Sequence, residues 1–154
     1  MTSPLRILLL EDSAKDAELI QELLEADHFV CEVNRVETRA EFQAALGDGA
    51  IDLVLAEYKL PSFDGLSALK LTLSARPDLP FIFVSGFGEE VAIEALTSGA
   101  MDYVLKTRLS RLAPSVRRLA SSSARGGPHS RRKSQSKTRP QRLRAQPGFR
   151  MPIR

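Results

Sequence analysis

The chain has 154 residues, of which 43% are hydrophobic, so it is long enough for one domain with a proper hydrophobic core. No apolar run approaches the roughly 18 residues that a bilayer-spanning helix requires. The first residues carry neither a basic segment nor a small-residue cleavage site, which argues against a secretory signal peptide. These features exclude a membrane-spanning protein and predict a cytoplasmic one without a membrane partner.

The charge is distributed unevenly along the chain. The net charge of +3 combines residues 1–120, with 12 Lys and Arg against 19 Asp and Glu, and residues 121–154, with 10 Lys and Arg and no acid. The second segment is poor in aliphatic residues, so it cannot bury enough apolar surface to offset its chain entropy. We therefore predict a folded domain over residues 1–120 and a basic, disordered tail over residues 121–154. The acidic body does not favour nucleic-acid binding, and the tail alone would bind nucleic acid only weakly and in a salt-dependent manner.

Apolar runs and helical patterns alternate five times along the body. The patterns predict strands over residues 5–10, 29–36, 51–56, 81–84 and 101–105. Apolar residues at helical spacing follow each run and predict helices over residues 14–26, 39–46, 66–75 and 89–98, with a last helix capped by Ser110. This alternation predicts an α/β fold whose strands are parallel and joined by right-handed crossovers.

The central run at residues 51–56 organises the rest of the chain. It is almost wholly apolar and lacks alternation, which is typical of a strand that is covered on both faces. Glu57 follows it directly, and Pro61 and Gly65 mark a loop before the next helix. Because open α/β sheets place their sites at the carboxyl ends of their strands, we expect Glu57 to lie in the functional site.

Polar side chains also follow three other predicted strands. Glu11 and Asp12 follow the first strand, Ser85 the fourth and Lys106 the fifth. The carboxyl ends of parallel strands share one edge of the sheet, so these side chains should meet Glu57 there. Three carboxylates at one point would repel each other unless a cation held them, and hard oxygen ligands suit Mg²⁺. The ammonium and the hydroxyl beside them complete a pocket for a phosphoryl group, which indicates phosphoryl chemistry rather than hydride or acyl transfer.

Four motifs give the chain a specific resemblance to a known family. They are LLLEDS at residues 8–13, DLVLAEYKLPSFDG at 52–65, FIFVSG at 81–86 and SGAMDYVLK at 98–106. In this order and spacing they resemble the receiver domain of response regulators, the phosphorylated, chemotaxis-regulator-like module of two-component signalling. The resemblance covers roughly residues 5–120. It implies a flavodoxin-like, doubly wound (βα)5 fold with strand order 2-1-3-4-5.

The resemblance also implies roles for individual residues. Glu11 and Asp12 match the acidic metal pair of the family, which together with position 57 would hold Mg²⁺. Ser85 matches its switch hydroxyl, Lys106 its phosphoryl-binding lysine and Tyr103 its rotating aromatic residue. The implied partners are a sensor histidine kinase and a downstream protein that contacts the face of the fourth helix, fifth strand and fifth helix.

One position departs from the family pattern, because Glu57 occupies the place of the phosphate-accepting aspartate. Glutamate adds one methylene, which moves the carboxylate by about 1.5 Å. A displacement of about an ångström can cost ~10²-fold in a transfer that requires close alignment of the reacting atoms. We therefore expect phosphotransfer from a kinase to be weak or absent. The longer carboxylate could instead pair with Lys106 and imitate a phosphoryl group in part, since it carries one charge and not about two.

The sequence thus predicts a stand-alone receiver domain that is not an enzyme and signals without phosphorylation. Residual phosphorylation and a merely structural role remain as weaker readings. Two alternatives belong to other classes: a small Mg²⁺-dependent α/β phosphohydrolase, and a nucleic-acid-associated protein that acts through its basic tail. Glu57 in place of an aspartyl nucleophile and the short chain argue against the phosphohydrolase.

Overall fold

The computed structural model describes the backbone of residues 3–126 and the side chains of residues 3–119 apart from Glu89. Its strands are β1 (Leu5–Leu10), β2 (Cys31–Val36), β3 (Leu53–Ala56), β4 (Phe81–Ser85) and β5 (Asp102–Leu105). Its helices are α1 (Ala14–Ala26), α2 (Arg39–Leu46), α3 (Gly65–Ala75), α4 (Glu89–Thr97) and α5 (Leu112–Gly126), and a 3₁₀ helix covers Lys106–Arg111. None of the described helices is long and apolar enough to cross a bilayer.

The five strands form one parallel sheet in the order β2-β1-β3-β4-β5. The predicted doubly wound, flavodoxin-like α/β fold is therefore confirmed. The order reverses between β1 and β3, and ligands of such sheets bind outside the carboxyl ends of the strands at this reversal. The topology thus directs attention to the residues that follow β1 and β3.

Alternate residues of the strands build two cores, one on each face of the sheet. One core packs the sheet against α2, α3 and α4, and its almost fully buried side chains include Phe42, Leu69, Phe81 and Phe83. The other packs the sheet against α1 and α5, through Ile20, Leu24, Leu112 and Val116. Burial on both faces explains why β3 and β4 are continuous apolar runs with every residue buried.

Polar side chains cap the N-termini of three helices. Ser13 accepts a hydrogen bond from the Asp16 amide at the start of α1, and Asp64 accepts one from the Ser67 amide at the start of α3. Thr38 and Glu41 form a reciprocal capping box at the start of α2. These caps fix the first turns of helices that follow directly on the loops of the site.

The prediction that Ser110 caps the last helix is wrong. Ser110 lies within the 3₁₀ helix, and α5 begins at Leu112. A helix capped by Ser110 would need a backbone N–H at Pro114 for its first intrahelical hydrogen bond, which proline lacks. A start at Leu112 keeps Pro114 within the first turn, where no such donor is required.

The strand β2 begins two residues later than predicted. The amides of His28 and Phe29 donate to the carbonyls of Glu25 and Leu24, at 3.0 Å each, and close the end of α1. His28 adopts the left-handed conformation, with φ 73°, that such helix ends commonly use. These two residues therefore complete α1 before the extended chain starts.

The helix α5 continues through residues 121–126, past the predicted domain boundary at residue 120. Serine and alanine in this segment are compatible with a helix. The predicted disorder of residues 121–154 is therefore wrong for residues 121–126, and residues 127–154 lie outside the described part of the chain. The division into a domain over residues 1–120 and a tail stays a prediction.

Gly65 is the tightest point beneath the site. A Cβ atom added here would lie 2.5 Å from the Glu57 carbonyl oxygen and 2.6 Å from the Phe83 ring. We expect Gly65→Ala to lower the free energy of unfolding by about 1–3 kcal/mol, the usual cost of overpacking, because the neighbour is backbone that cannot rotate away. Urea unfolding measures this change. Gly47→Ala is the matched control, since an added Cβ there meets its nearest atom at 3.5 Å and φ is −73°; an equal loss in both variants would contradict the steric explanation.

Candidate functional site

The strand register brings the predicted site residues to one edge of the sheet. Leu10 of β1 lies beside Ala56 of β3, and Ser85 at the end of β4 lies beside Leu105 of β5. Glu11, Glu57 and Lys106 directly follow Leu10, Ala56 and Leu105, so they leave the sheet at the same edge as Ser85. Glu11, Glu57 and Ser85 are buried.

The ammonium group of Lys106 lies at the centre of the site. Its Nζ atom is 2.9 Å from Glu57 Oε1, 2.9 Å from Glu11 Oε1 and 2.7 Å from Asp16 Oδ2. Burial alone would lower the pKa of this lysine, but the hydrogen bonds to Asp16, Glu57 and Glu11 outweigh burial and raise it. Lys106 therefore stays charged; it forms ion pairs with all three carboxylates and donates a hydrogen bond to Asp16.

The second carboxylate oxygen of Glu57 accepts three further hydrogen bonds. Oε2 accepts from Ser85 Oγ at 2.5 Å, from the Tyr58 amide at 2.6 Å and from the Lys59 amide at 3.3 Å. The carboxylate thus joins the β3–α3 loop to the end of β4 with one oxygen and to Lys106 with the other. Hydrogen bonds to a charged acceptor are about twice as strong as those between neutral groups, so this arrangement is well held.

Ser85 connects Glu57 to the segment that leads into α4. Its hydroxyl donates to Glu57 and accepts from the Phe87 amide at 3.2 Å. The Tyr103 ring is buried on the same side and its hydroxyl donates to the Phe87 carbonyl at 2.8 Å. Burial raises the pKa of Tyr103, so the phenol stays protonated and can donate. Ser85 and Tyr103, which the sequence predicted for the site, therefore bind the backbone amide and the backbone carbonyl of Phe87.

Glu11 is buried more deeply than the other acids of the site. Its desolvation raises the pKa of the carboxyl group, against the hydrogen bonds from Lys106 and from the Ser13 amide, which lower it. Its backbone carbonyl accepts from Arg35 Nη1 at 3.0 Å. Lys106 is the cation that makes this buried acid tolerable.

The arrangement does not fit a divalent metal ion as the side chains stand. The lysine ammonium lies between Glu11 and Glu57, and Asp12 is exposed and turned out of this set of contacts. The described residues contain no group of three acidic, histidine or cysteine side chains placed to hold a metal. The assignment of Mg²⁺ to Glu11, Asp12 and Glu57 stays a prediction.

Two residues of the site were not anticipated from the sequence. Asp16 reaches Lys106 from the first turn of α1, and Tyr58 donates its hydroxyl to Glu94 Oε1 of α4 at 2.5 Å. Asp16 lies in the first turn of α1, three residues after the N-cap Ser13, and this turn faces the site. Its position after the N-cap was the only feature of the sequence that could have indicated a role in the site. Nothing local to Tyr58 indicates Glu94, which is 36 residues away.

The acids, the hydroxyl and the lysine at the carboxyl edge of a parallel sheet are the groups expected of a site for a phosphoryl group. The family model for the response regulator receiver domain matches residues 7–117. The chain therefore belongs to the response regulator receiver domain family. It is a receiver domain of two-component signalling, as the sequence predicted. Proteins of this family typically interact with histidine kinases and downstream effectors, and they generally bind Mg²⁺ at the acceptor site.

Several curated proteins are similar over most of this chain. A protein-glutamate methylesterase/protein-glutamine glutaminase of Rhodospirillum centenum is 31% identical over 170 aligned positions, which cover 98% of this chain and 42% of that protein. The C4-dicarboxylate transport transcriptional regulatory protein DctD of Rhizobium meliloti is 30% identical over 120 positions, covering 77% of this chain and 26% of that protein. The chain thus spans well under half of either relative.

Solved structures share the fold over nearly their full length. A CheY-like response regulator receiver domain protein from Methanospirillum hungatei superposes with a TM-score of 0.70 and 25% identity, covering 81% of this chain and all of that one. The receiver domain of NtrX from Brucella abortus gives a TM-score of 0.68 and 28% identity, covering 76% of this chain and 99% of that one.

Proposed function

We propose that this receiver domain signals without phosphorylation, with Glu57 holding its switch residues in one fixed arrangement. The observation that carries the proposal is the pair of contacts made by one carboxylate, 2.5 Å to Ser85 Oγ and 2.9 Å to Lys106 Nζ. A phosphoryl group on an acceptor at this position would need the same hydroxyl and the same ammonium. In this chain both are already engaged by the side chain of residue 57.

The length of glutamate supports this reading. Its extra methylene, about 1.5 Å, carries the carboxylate beyond the position that an aspartate would take and toward Ser85 and Lys106. The carboxylate has one negative charge where a phosphoryl group carries about two, so the imitation is partial. Lys106 adjusts to the smaller charge by pairing with Asp16 and Glu11 as well.

A divalent cation is not required for this arrangement. The positive charge between Glu11 and Glu57 is supplied by Lys106, with 2.9 Å to each carboxylate. The cofactor expected from the family, Mg²⁺, would have to displace this ammonium and draw in the exposed Asp12. We therefore propose that Mg²⁺ binds this site weakly.

The downstream partner would contact the face of α4, β5 and α5. Large apolar side chains are exposed on and beside α4, namely Phe87, Ile93, Leu96 and Met101. Phe87 is also the residue whose backbone is held by Ser85 and Tyr103, so the state of the site reaches this surface. A sensor histidine kinase remains the expected upstream partner, with weak or absent transfer to Glu57. The cytoplasmic location stays a prediction.

The other classes have less support. The phosphohydrolase is not favoured, since the family match covers residues 7–117 and Glu57 stands where a nucleophilic aspartate would be needed. One relative is named a methylesterase, but this chain covers only 42% of that protein, so the name is not carried over to this chain. A nucleic-acid role would depend on the basic tail, most of which lies outside the described residues. We propose a non-enzymatic signalling domain.

Truncation of the acceptor-position side chain tests the proposed function. We expect Glu57→Ala to increase amide hydrogen exchange at Tyr58 and Phe87 about 10- to 100-fold, because hydrogen bonds to charged groups contribute about 1.5–3 kcal/mol. The amide of Tyr58 loses its acceptor, and the acceptor of the Phe87 amide, Ser85 Oγ, loses the carboxylate that holds it in place. Exchange measured with peptide-resolved mass spectrometry reports both.

The matched control is Glu22→Ala, at an exposed position of α1. It should leave exchange at both loops unchanged. Equal exchange in native protein and Glu57→Ala would show that the carboxylate does not hold the switch residues, and the proposed function would then be wrong.

A further inference from the structure

Tyr58 makes a connection that neither Ser85 nor Tyr103 provides. Its backbone amide donates to Glu57 Oε2 at 2.6 Å, and its phenol donates to Glu94 Oε1 of α4 at 2.5 Å. One residue therefore touches the acceptor-position carboxylate with its main chain and the middle of α4 with its side chain. The Ser85–Tyr103 route instead ends on the backbone of Phe87, before α4 begins.

The ring of Tyr58 is held rigidly between these two contacts. It is 8% exposed and packs edge-on against Phe83 of β4, with ring centroids 5.5 Å apart. A tyrosine has only two side-chain torsions, so a ring fixed by packing transmits the position of its backbone to its hydroxyl. Burial and the hydrogen bond to the Glu94 carboxylate raise the pKa of Tyr58 to about 12, so the phenol keeps its proton at neutral pH.

The position of Glu94 makes the contact matter for α4. This helix has no side-chain hydrogen bond at its N-cap, Gly88, and four of its large apolar or acidic residues are exposed: Glu90, Ile93, Glu94 and Leu96. The helix thus relies on few contacts, and the Tyr58–Glu94 hydrogen bond ties its middle turn to the β3–α3 loop. Loss of this bond should affect the whole of so short a helix.

We propose that Tyr58 is a positioning residue that couples the carboxylate of Glu57 to the order of α4, as a second route beside Ser85 and Tyr103. The inference rests on the proposed function, in which Glu57 holds the site in a fixed arrangement. It deepens that function because it identifies how position 57 regulates the helix that faces a downstream partner. Tyr58 acts through its neighbours and takes no part in any covalent step.

A double-mutant cycle on amide hydrogen exchange of α4 tests the coupling. The four proteins are the native chain, Glu57→Ala, Tyr58→Phe and the double variant; Tyr58→Phe removes the hydroxyl and keeps the ring against Phe83. We expect Glu57→Ala to increase exchange of residues 89–97 about 10-fold in the native background and less than about 3-fold in the Tyr58→Phe background. An equal increase in both backgrounds, or no increase in α4 in the native background, overturns the coupling.

A second pair of variants approaches the same contact from α4. In the Glu94→Ala background the effect of Glu57→Ala on α4 should shrink as it does with Tyr58→Phe, whereas in the Glu90→Ala background it should persist. Both changes remove one carboxylate from the helix and favour it by propensity. Glu90 lies in the first turn, where its carboxylate also interacts with the helix dipole, so the comparison uses the effect of Glu57→Ala within each background and not the absolute exchange rates. Persistence in both backgrounds overturns the proposal.

The readouts separate this inference from the proposed function. Exchange at the Phe87 amide depends on Ser85 and not on Tyr58. If Glu57→Ala increases exchange at Phe87 but the α4 cycle shows no coupling, the Tyr58 route is wrong and the proposed function stands. If exchange at Phe87 does not respond to Glu57→Ala, the proposed function itself fails.

Discussion

Replacing Glu57 with aspartate is expected to increase phosphoryl labelling by acetyl phosphate and Mg²⁺ about 100-fold over the native chain. Shortening the side chain by one methylene withdraws the carboxylate by about 1.5 Å from Ser85 and Lys106. Those groups then become available to a phosphoryl group, and the carboxylate lies where in-line attack is aligned. Misplacement of about an ångström costs ~10²-fold, which sets the size of the gain. Intact-protein mass spectrometry measures the added phosphoryl mass.

Two controls make this result specific. Glu57→Asn has nearly the same shape as Glu57→Asp but lacks a nucleophilic carboxylate, so it should remain unlabelled. Glu22→Asp makes the same chemical change at an exposed position of α1 and should behave as the native chain does. Strong labelling of the native protein would show that glutamate at position 57 accepts a phosphoryl group, contrary to the proposed function.

Removing the charge of Lys106 is expected to have the largest effect on stability. Lys106→Met keeps most of the aliphatic stem but leaves Glu11, Glu57 and Asp16 facing each other without a cation. Two of these acids are buried, and loss of one partner of a buried ion pair typically costs 3–5 kcal/mol. The lysine side chain is 20% exposed, so we expect a loss of about 3 kcal/mol at neutral pH, measured by urea unfolding.

The pH dependence of this loss distinguishes charge repulsion from lost packing. Burial already raises the pKa of the Glu11 carboxyl, and in Lys106→Met the lysine contacts that lower this pKa are gone, so it rises further above its unfolded value. Protonation of Glu11 therefore stabilises the folded variant as the pH falls through this raised pKa toward the ordinary carboxyl pKa of about 4. The difference from the native chain should shrink over this range. Lys70→Met, at an exposed position of α3, should cost little at any pH; a pH-independent loss in Lys106→Met would point to packing instead.

Most of the fold was predictable because its signals are local or periodic. The doubly buried strands β3 and β4 are unbroken apolar runs, and α1 and α2 carry their own caps in Ser13 and Thr38. The errors came from contacts between the ends of elements. The end of α1 extends through His28 and Phe29 by backbone hydrogen bonds, and Pro114 shifts the start of α5 past Ser110.

Most members of the site were predictable, but Asp16, Tyr58 and the pairing of the side chains were not. Glu11, Glu57, Ser85 and Lys106 were predicted because they follow four predicted strands, and the parallel register brings them together. Asp12 has the same chemistry as Glu11 and the neighbouring position, yet it is exposed while Glu11 is buried. Adjacent residues at the end of a strand point in opposite directions, so only the path of the chain after β1 decides which acid enters the site.

Apolar periodicity and motif spacing were enough to predict the order of strands and helices and the family, because they are properties of the chain alone. Packing fixed which atoms meet: one lysine pairs with three carboxylates, and Tyr58 reaches Glu94 across 36 residues. Such contacts depend on side-chain directions after packing, and no local preference encodes those directions.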